Sequence, residues 1–154
     1  MSDSDKSFDA VRKAIADHAA ASEFVRNLDE TVAIWNEKDP VVKINGMRAF
    51  LKTHVEEHFA MEDEEVFPHL LVVHPDESVS NRVARLQQDH ERLTAEVTRL
   101  HGLLAQVERS ADPQVMAELE LLFRMFLGQL QRHAAEEDKL FALLAARYVT
   151  QPSS

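Results

Sequence analysis

The chain has no cysteine, which removes disulfides, thiolate metal sites and cysteine nucleophiles from consideration. Glycine and proline are scarce, at three and five residues in 154. Beside abundant Ala, Leu, Glu, Arg and Gln, that scarcity favours long helices over a sheet. No apolar run approaches the length of a bilayer span. Positive charge is also in deficit: 17 Lys and Arg stand against 27 Asp and Glu, a formal net charge of -10. Nucleic acid and anionic membrane surfaces, which both need a basic face, are poor partners for such a chain. The start, Met1-Ser2-Asp3-Ser4-Asp5-Lys6, lacks the basic-then-apolar order of a signal peptide, so a soluble, cytoplasmic protein is expected.

What the chain does have is an ordinary apolar content of 45%, enough for a real core, and eight histidines without an obvious tag. Apolar residues recur at steps of three and four along four segments. The first, capped near Asp3 to Asp5, carries Phe8, Val11, Ile15, His18, Ser22, Val25, Leu28, Val32 and Trp35 and stops around Asn36 to Lys38. The second begins at Asp39-Pro40, a cap followed by a first-turn proline. It carries Ile44, Met47, Leu51, His54, His58, Glu62 and Val66 on one face, and Pro68 is expected to kink or end it. The third, capped by Asp76 or Ser78, carries Val79, Val83, Leu86, His90, Leu93, Val97, Leu100, Leu104 and Val107. The fourth starts at Asp112-Pro113 and carries Leu119, Leu122, Phe126, Leu130, His133, Glu137, Leu140 and Leu144. Short links between long amphipathic helices predict an all-α, up-down-up-down four-helix bundle. It would form one domain over residues 1–154, with 150–154 a flexible tail.

Histidine and glutamate interrupt these stripes in a repeated way. His58-Phe59-Ala60-Met61-Glu62 and His133-Ala134-Ala135-Glu136-Glu137 each place an imidazole and a carboxylate one turn apart on a core face, and an aspartate follows each (Asp63, Asp138). Of the acidic run Glu62 to Glu65, only Glu62 has the phase of the core. Residues of antiparallel neighbours lie at one level when they are equally far from the connecting loop. His18 lies 18 residues before Asn36, and His58 lies 18 after Pro40. Glu62 lies 11 before Val73 and His90 lies 12 after Ser78, while His90 lies 20 before Ser110 and His133 lies 20 after Pro113. At ~1.5 Å of rise per residue, His18, His58, Glu62, His90, His133 and Glu137 are predicted to converge at one depth. His69, His74 and His101 fall off that level, as surface or rim residues.

Unpaired polar groups at such a depth would cost several kcal/mol. A metal centre satisfies four imidazoles and two carboxylates at once. Nitrogen and oxygen donors without sulfur suit iron, manganese, cobalt or zinc. Six donors exceed the four of a closed zinc site, and two ions bridged by Glu62 and Glu137 use the set well. The other dinuclear bundle pattern needs Glu-x-x-His on two helices. The residues three before His18, His54, His58, His90 and His133 are Ile15, Leu51, Val55, Gln87 and Leu130, so that pattern is missing.

In this order, His18, His58-x-x-x-Glu62 with Val66-Phe67-Pro68, Asp89-His90-Glu91 and His133-x-x-x-Glu137, the chain resembles the hemerythrin-like domain, the HHE cation-binding family, from about residue 10 to 148. The resemblance implies two non-haem iron ions in a four-helix bundle, carboxylate-bridged and oxo- or hydroxo-bridged. His18, His58, His90 and His133 would be terminal ligands and Glu62 and Glu137 the bridges. The chain departs from the oxygen-carrying members at two points. Where they have a further histidine four residues before the one matching His90, this chain has Leu86. Where they take the last carboxylate five residues after the histidine, it has Asp138, which rivals Glu137. His54, one turn from His58, could stand in for the fifth histidine; otherwise one iron keeps an open position.

Three functional readings follow. The first is a di-iron protein that binds or reacts with oxygen, nitric oxide or peroxide in a dry pocket lined by Leu86, Leu93, Phe126 and Met61. The second is an iron-sensing or iron-holding module without turnover, whose protein partner the sequence does not name. The third is a metal-free bundle with a hydrogen-bonded polar layer. No general base outside the ligand set argues for catalysis.

Overall fold

A computed structural model describes the backbone of residues 33–150 and the side chains of residues 33–147. The first predicted helix up to residue 32, with His18, and the tail after Thr150 lie outside the described residues. Among those residues every regular element is helical. After residues 33–36, the elements are α1 (Pro40–Phe50), a π-helical turn π1 (Leu51–Glu56), α2 (Glu57–Met61), a second π turn π2 (Glu62–Val66), α3 (Phe67–Val73), α4 (Glu77–Ser110) and α5 (Pro113–Thr150). The elements from α1 to α3 follow one another without a break and form one segmented rod. No helix among the described residues is long and apolar enough to cross a membrane.

Local chemistry sets the boundaries. Asp39 caps α1 by accepting from the Val41 amide at 3.0 Å, with Pro40 in the first turn. Asp76 starts α4 by accepting from Val79 N–H at 3.4 Å, and Asp112 Oδ1 accepts from Gln114 N–H at 2.9 Å. Helix α4 ends at Ala111, whose φ of 49° is left-handed and whose N–H reaches Val107 O at 2.8 Å. Glycine fills such a position at no steric cost; alanine does not.

All nine residues of the stripe predicted for the third helix are buried in α4. On α5 the buried face is Leu119, Phe123, Phe126, Leu130, His133, Glu137, Leu140, Phe141 and Leu144. Phe123 takes the place expected of Leu122 because it packs edge-on against both Trp35 and Phe50, at centroid distances of 5.6 and 5.8 Å.

The rod differs more. Its buried residues are Ile44, Met47, Phe50, Leu51, Val55, Phe59, Glu62, Val66, Phe67 and Leu70, so Val55 and Phe59 face the core where His54 and His58 were expected. Met47, Leu51, Val55 and Phe59 are buried at steps of four. The π turn is the reason: its i→i+5 closure, seen where Glu57 N–H reaches Lys52 O, fits more residues per turn and delays the phase. The second π turn explains why Pro68 does not stop the rod. Phe67 N–H reaches back to Glu62 O, and α3 carries on through Pro68 to Val73.

Contacts between the rods fix their register. Arg99 meets Glu118 at 4.0 Å and Arg92 meets Gln129 at 3.4 Å, so α4 and α5 run in opposite directions. Arg48 with Glu108, and His101 with Glu56 at 3.4 Å, show the same for the segmented rod and α4. His74 lies off the polar layer, on the rim of the core at the loop before α4; it is buried there, 3.4 Å from Arg147, which also grips Asp76 through two hydrogen bonds.

The core falls into two apolar clusters. One holds Phe59, Leu93, Phe126 and Leu130 among others; the other holds Val66, Phe67, Leu86 and Leu140. Between Phe59 and Val66 on the rod lies Glu62, between Leu86 and Leu93 on α4 lies His90, and between Leu130 and Leu140 on α5 lie His133 and Glu137. A polar layer thus divides the core at one level.

Two substitutions test these statements by chemical denaturation. Leu104→Ala, at a fully buried position, should lower stability by about 2–5 kcal/mol. Ala111→Gly should raise it by about 1 kcal/mol, by relieving the left-handed backbone; a loss would mean that this cap is not held as described.

Candidate metal centre

Three elements meet in the polar layer. Glu62 opens π2, His90 stands mid-way along α4, and His133 and Glu137 are one turn apart on α5. The four are 1–3% exposed, and each offers one ligand atom such that all four atoms lie within 4.8 Å of one another. A buried group of this composition could hold a metal ion.

His90 is the hub. Its Nε2 lies 3.3 Å from Glu62 Oε1 and 3.4 Å from Glu137 Oε1, while its Nδ1 lies 2.8 Å from Asp63 Oδ1. Phe59 stacks on its ring at 4.0 Å with 13° between the planes, and Phe67 lies against it at 5.6 Å and 26°. His133 turns Nε2 onto Glu137 Oε1 and Nδ1 onto Asp89 Oδ2, the latter at 3.3 Å. His58, half-buried, brings Nε2 to 3.3 Å from Glu62 Oε1.

The electrostatics of the bare layer are unfavourable. Both oxygens of Glu62 and Nε2 of His133 are buried and lack a well-aligned hydrogen bond from the described residues. Glu62 Oε1 nevertheless lies 3.3 Å from Nε2 of both His58 and His90, and His133 Nε2 lies against Glu137 Oε1. Burial first, then the charge of Glu137 and its side-chain contact with Glu62, then the charge of Asp63, push the Glu62 carboxyl well above the usual carboxylate range. For His133 burial is the largest influence and acts downward. The hydrogen bond and charge of Glu137, followed by those of Asp89, outweigh it and raise the imidazole above its ordinary value.

Of the residues singled out from sequence, Glu62, His90, His133 and Glu137 are therefore brought together. His58 stands at their edge, in contact with Glu62. His54 is half-buried with its ring tilted against Phe50 at 5.6 Å, and it is not among the four that converge. Asp138 is half-buried beside the fully buried Glu137. His18 lies outside the described residues. His69 and His101 sit off the layer, bonded to the Glu65 carbonyl and to Glu56. Sequence reasoning missed the parts played by Asp63 and Asp89. Asp63 was set outside the core by its phase, yet its Oδ1 lies 2.8 Å from His90 Nδ1 because π2 turns it toward α4. The signal was available: a histidine that ligates through one nitrogen needs a partner for the other, and each aspartate adjoins a layer residue in sequence.

Compared with models of protein families, with curated proteins and with solved structures, the chain finds no match.

The raised groups fix the sign of the pH response of metal-free protein. For Glu62, the stabilising contribution is complete below the unfolded carboxylate pKa and is lost as pH rises through the raised folded value. For His133 it is complete below the ordinary imidazole pKa and is likewise lost on the alkaline side. As pH rises from the carboxylate range to the alkaline side, the melting temperature of metal-free protein should fall relative to that of Glu62→Gln. Parallel profiles for the two proteins would contradict the raised Glu62 carboxyl.

Proposed function

We propose that this chain is a hemerythrin-like, non-haem di-iron protein that binds or reacts with a small ligand, such as oxygen, nitric oxide or peroxide, inside an up-down-up-down four-helix bundle. The observation that carries the reading is Glu62: a carboxylate in the core, with both oxygens lacking a hydrogen bond from the described residues and a second carboxylate across the layer. A carboxyl so buried is relieved either by keeping its proton, the direction in which burial pushes Glu62, or by a cation that the two facing carboxylates share. The donor set fits iron, being imidazole and carboxylate with no thiolate. His58, His90 and His133 would be terminal ligands, with His18 the fourth, and Glu62 and Glu137 the bridges. Full burial of Glu137 beside the half-buried Asp138 favours Glu137 for that role. When bound, the centre would supply redox chemistry and a coordination position for a small molecule.

The chain's own residues limit what can reach that position. Leu86, Leu93 and Phe126 are buried around the layer, and Phe59 and Phe67 cover the His90 ring. They exclude water and offer no hydrogen bond to a polar substrate, so a molecule of two or a few atoms is the fitting visitor. Leu86 supplies no donor where oxygen carriers have a histidine, which favours a reactive centre over a reversible carrier.

The facing carboxylates favour the second reading as well. A bare layer that repels itself is stabilised strongly by metal, so iron occupancy could itself be the signal.

Full-length protein reconstituted anaerobically with ferrous iron should take up two irons per chain. Oxygen, nitric oxide or peroxide should then change its near-ultraviolet and visible spectrum. Glu62→Ala and Glu137→Ala should each abolish the second iron. Fewer than one metal per chain after growth in iron-rich medium would return the layer to a metal-free hydrogen-bonded role. Full loading with a large rise in melting temperature but no spectral response to any of the three ligands would select the iron-holding reading.

A further inference from the structure

The two buried histidines share an arrangement on the side of each ring that faces away from the layer. We infer that Asp63 and Asp89 are positioning residues: each fixes the tautomer of a histidine on the next helix and so aims its Nε2 lone pair into the layer. This inference deepens the reading of the layer as a metal centre and rests on it.

Each ring spans the boundary between core and surface. His90 turns Nδ1 outward to Asp63 Oδ1 at 2.8 Å and Nε2 inward to Glu62 and Glu137 at 3.3 and 3.4 Å. His133 turns Nδ1 outward to Asp89 Oδ2 at 3.3 Å and Nε2 inward to Glu137. A neutral imidazole has one N–H and one lone pair. If the N–H is on Nδ1, it donates to the aspartate and Nε2 is left bare, as a metal ligand must be. If the N–H is on Nε2, it occupies the centre of the layer, and the bare Nδ1 faces a carboxylate oxygen at hydrogen-bond distance with no proton between them. For His90 the outer contact is the shorter, 2.8 Å against 3.3 and 3.4 Å, and favours the first arrangement. For His133 Asp89 favours it against Glu137, whose carboxylate also faces Nε2 and is the group a metal ion would draw away. Outer carboxylates of this kind orient metal-bound histidines generally.

The pattern is directional along the chain. An aspartate of the segmented rod steers the histidine of α4, and an aspartate of α4 steers the histidine of α5. Neighbours in sequence divide the work: Glu62 addresses Nε2 of His90 and Asp63 addresses Nδ1 of the same ring. Successive side chains of an α-helix diverge by about 100°; the wider π2 turn narrows that angle and lets both reach one imidazole. Asp89 is itself braced, since its other oxygen accepts from Arg92 at 3.2 Å and Arg92 also reaches Gln129 on α5 at 3.4 Å.

The test uses full-length protein labelled with ¹⁵N at histidine. Nitrogen–proton correlation spectra of metal-free protein, at a pH where the rings are neutral, read each tautomer directly. A competing chelator reads ferrous affinity. His90 and His133 should both carry the proton on Nδ1. Asp63→Ala should redistribute the proton of His90 alone, and Asp89→Ala that of His133 alone, each weakening iron binding by about 10–100-fold. Asp63→Asn and Asp89→Asn keep a side-chain carbonyl that accepts, and should restore the tautomer and most of the affinity. Both aspartates are partly exposed, so the fold should survive, and melting curves check that it does. Glu64→Ala removes the same charge from the same turn and should change neither readout. Unchanged tautomers in both alanine variants would overturn the inference, as would an equal loss of affinity in Glu64→Ala. If the wild-type protein bound no iron while the tautomers still responded as stated, the metal reading would fall and the steering by Asp63 and Asp89 would stand.

Discussion

Glu62 and Glu137 face the same small volume of core, and the mutual repulsion of these two carboxylates is the constraint on which the rest of the structure turns. Neither can escape to water, since helices α4 and α5 and the rod close around them with leucine, valine and phenylalanine. Holding two negative charges there costs several kcal/mol, so one carboxyl keeps its proton, as burial pushes Glu62 to do, or something positive shares the space. Two imidazoles help, because both can carry charge, and the raised His133 is the response expected of one beside a carboxylate. They do not complete the job: the oxygens of Glu62 are still left without a hydrogen bond from the described residues. A layer so arranged is costly as a structural device and well suited to a cation.

The backbone is adapted to this layer at the segmented rod. Two π turns bracket the short helix that carries His58, and they have opposite visible effects. The first delays the helical phase, so that Val55 and Phe59 fill the core and His54 and His58 move toward its edge. The second brings Glu62 and Asp63 onto one imidazole and absorbs Pro68 without a break. Single π turns concentrate at functional positions in helices, because their wider turn is retained only where side-chain placement demands it. Phe59, set inward by the first turn, is also the ring that stacks on His90.

Much of this was legible in the sequence, unevenly and for physical reasons. The α4 stripe was readable in full because an uninterrupted 3.6-residue period runs from Val79 to Val107. The caps at Asp39, Asp76 and Asp112 were readable because each precedes a helix in a local pattern that needs no tertiary information. The convergence of Glu62, His90, His133 and Glu137 followed from counting residues to the loops. What could not be counted was the π insertion, a change of period inside one helix that no composition signals. It misplaced His54 and His58 and hid the inward turn of Asp63. His74 lies off the layer as counted, but its contact with Arg147, 73 positions away, is not something a local pattern carries. Iron, its number and the visiting ligand rest on the resemblance and on donor chemistry, since no comparison adds to them.

The central claim is that the polar layer is a two-iron centre held by imidazole and carboxylate. Iron-edge X-ray absorption on iron-loaded, full-length protein tests it most directly. The account predicts a shell of nitrogen and oxygen donors with the multiple scattering of imidazole, together with a second iron as a near neighbour. A spectrum with oxygen donors alone and no iron neighbour, like that of iron held on an acidic surface, would contradict it.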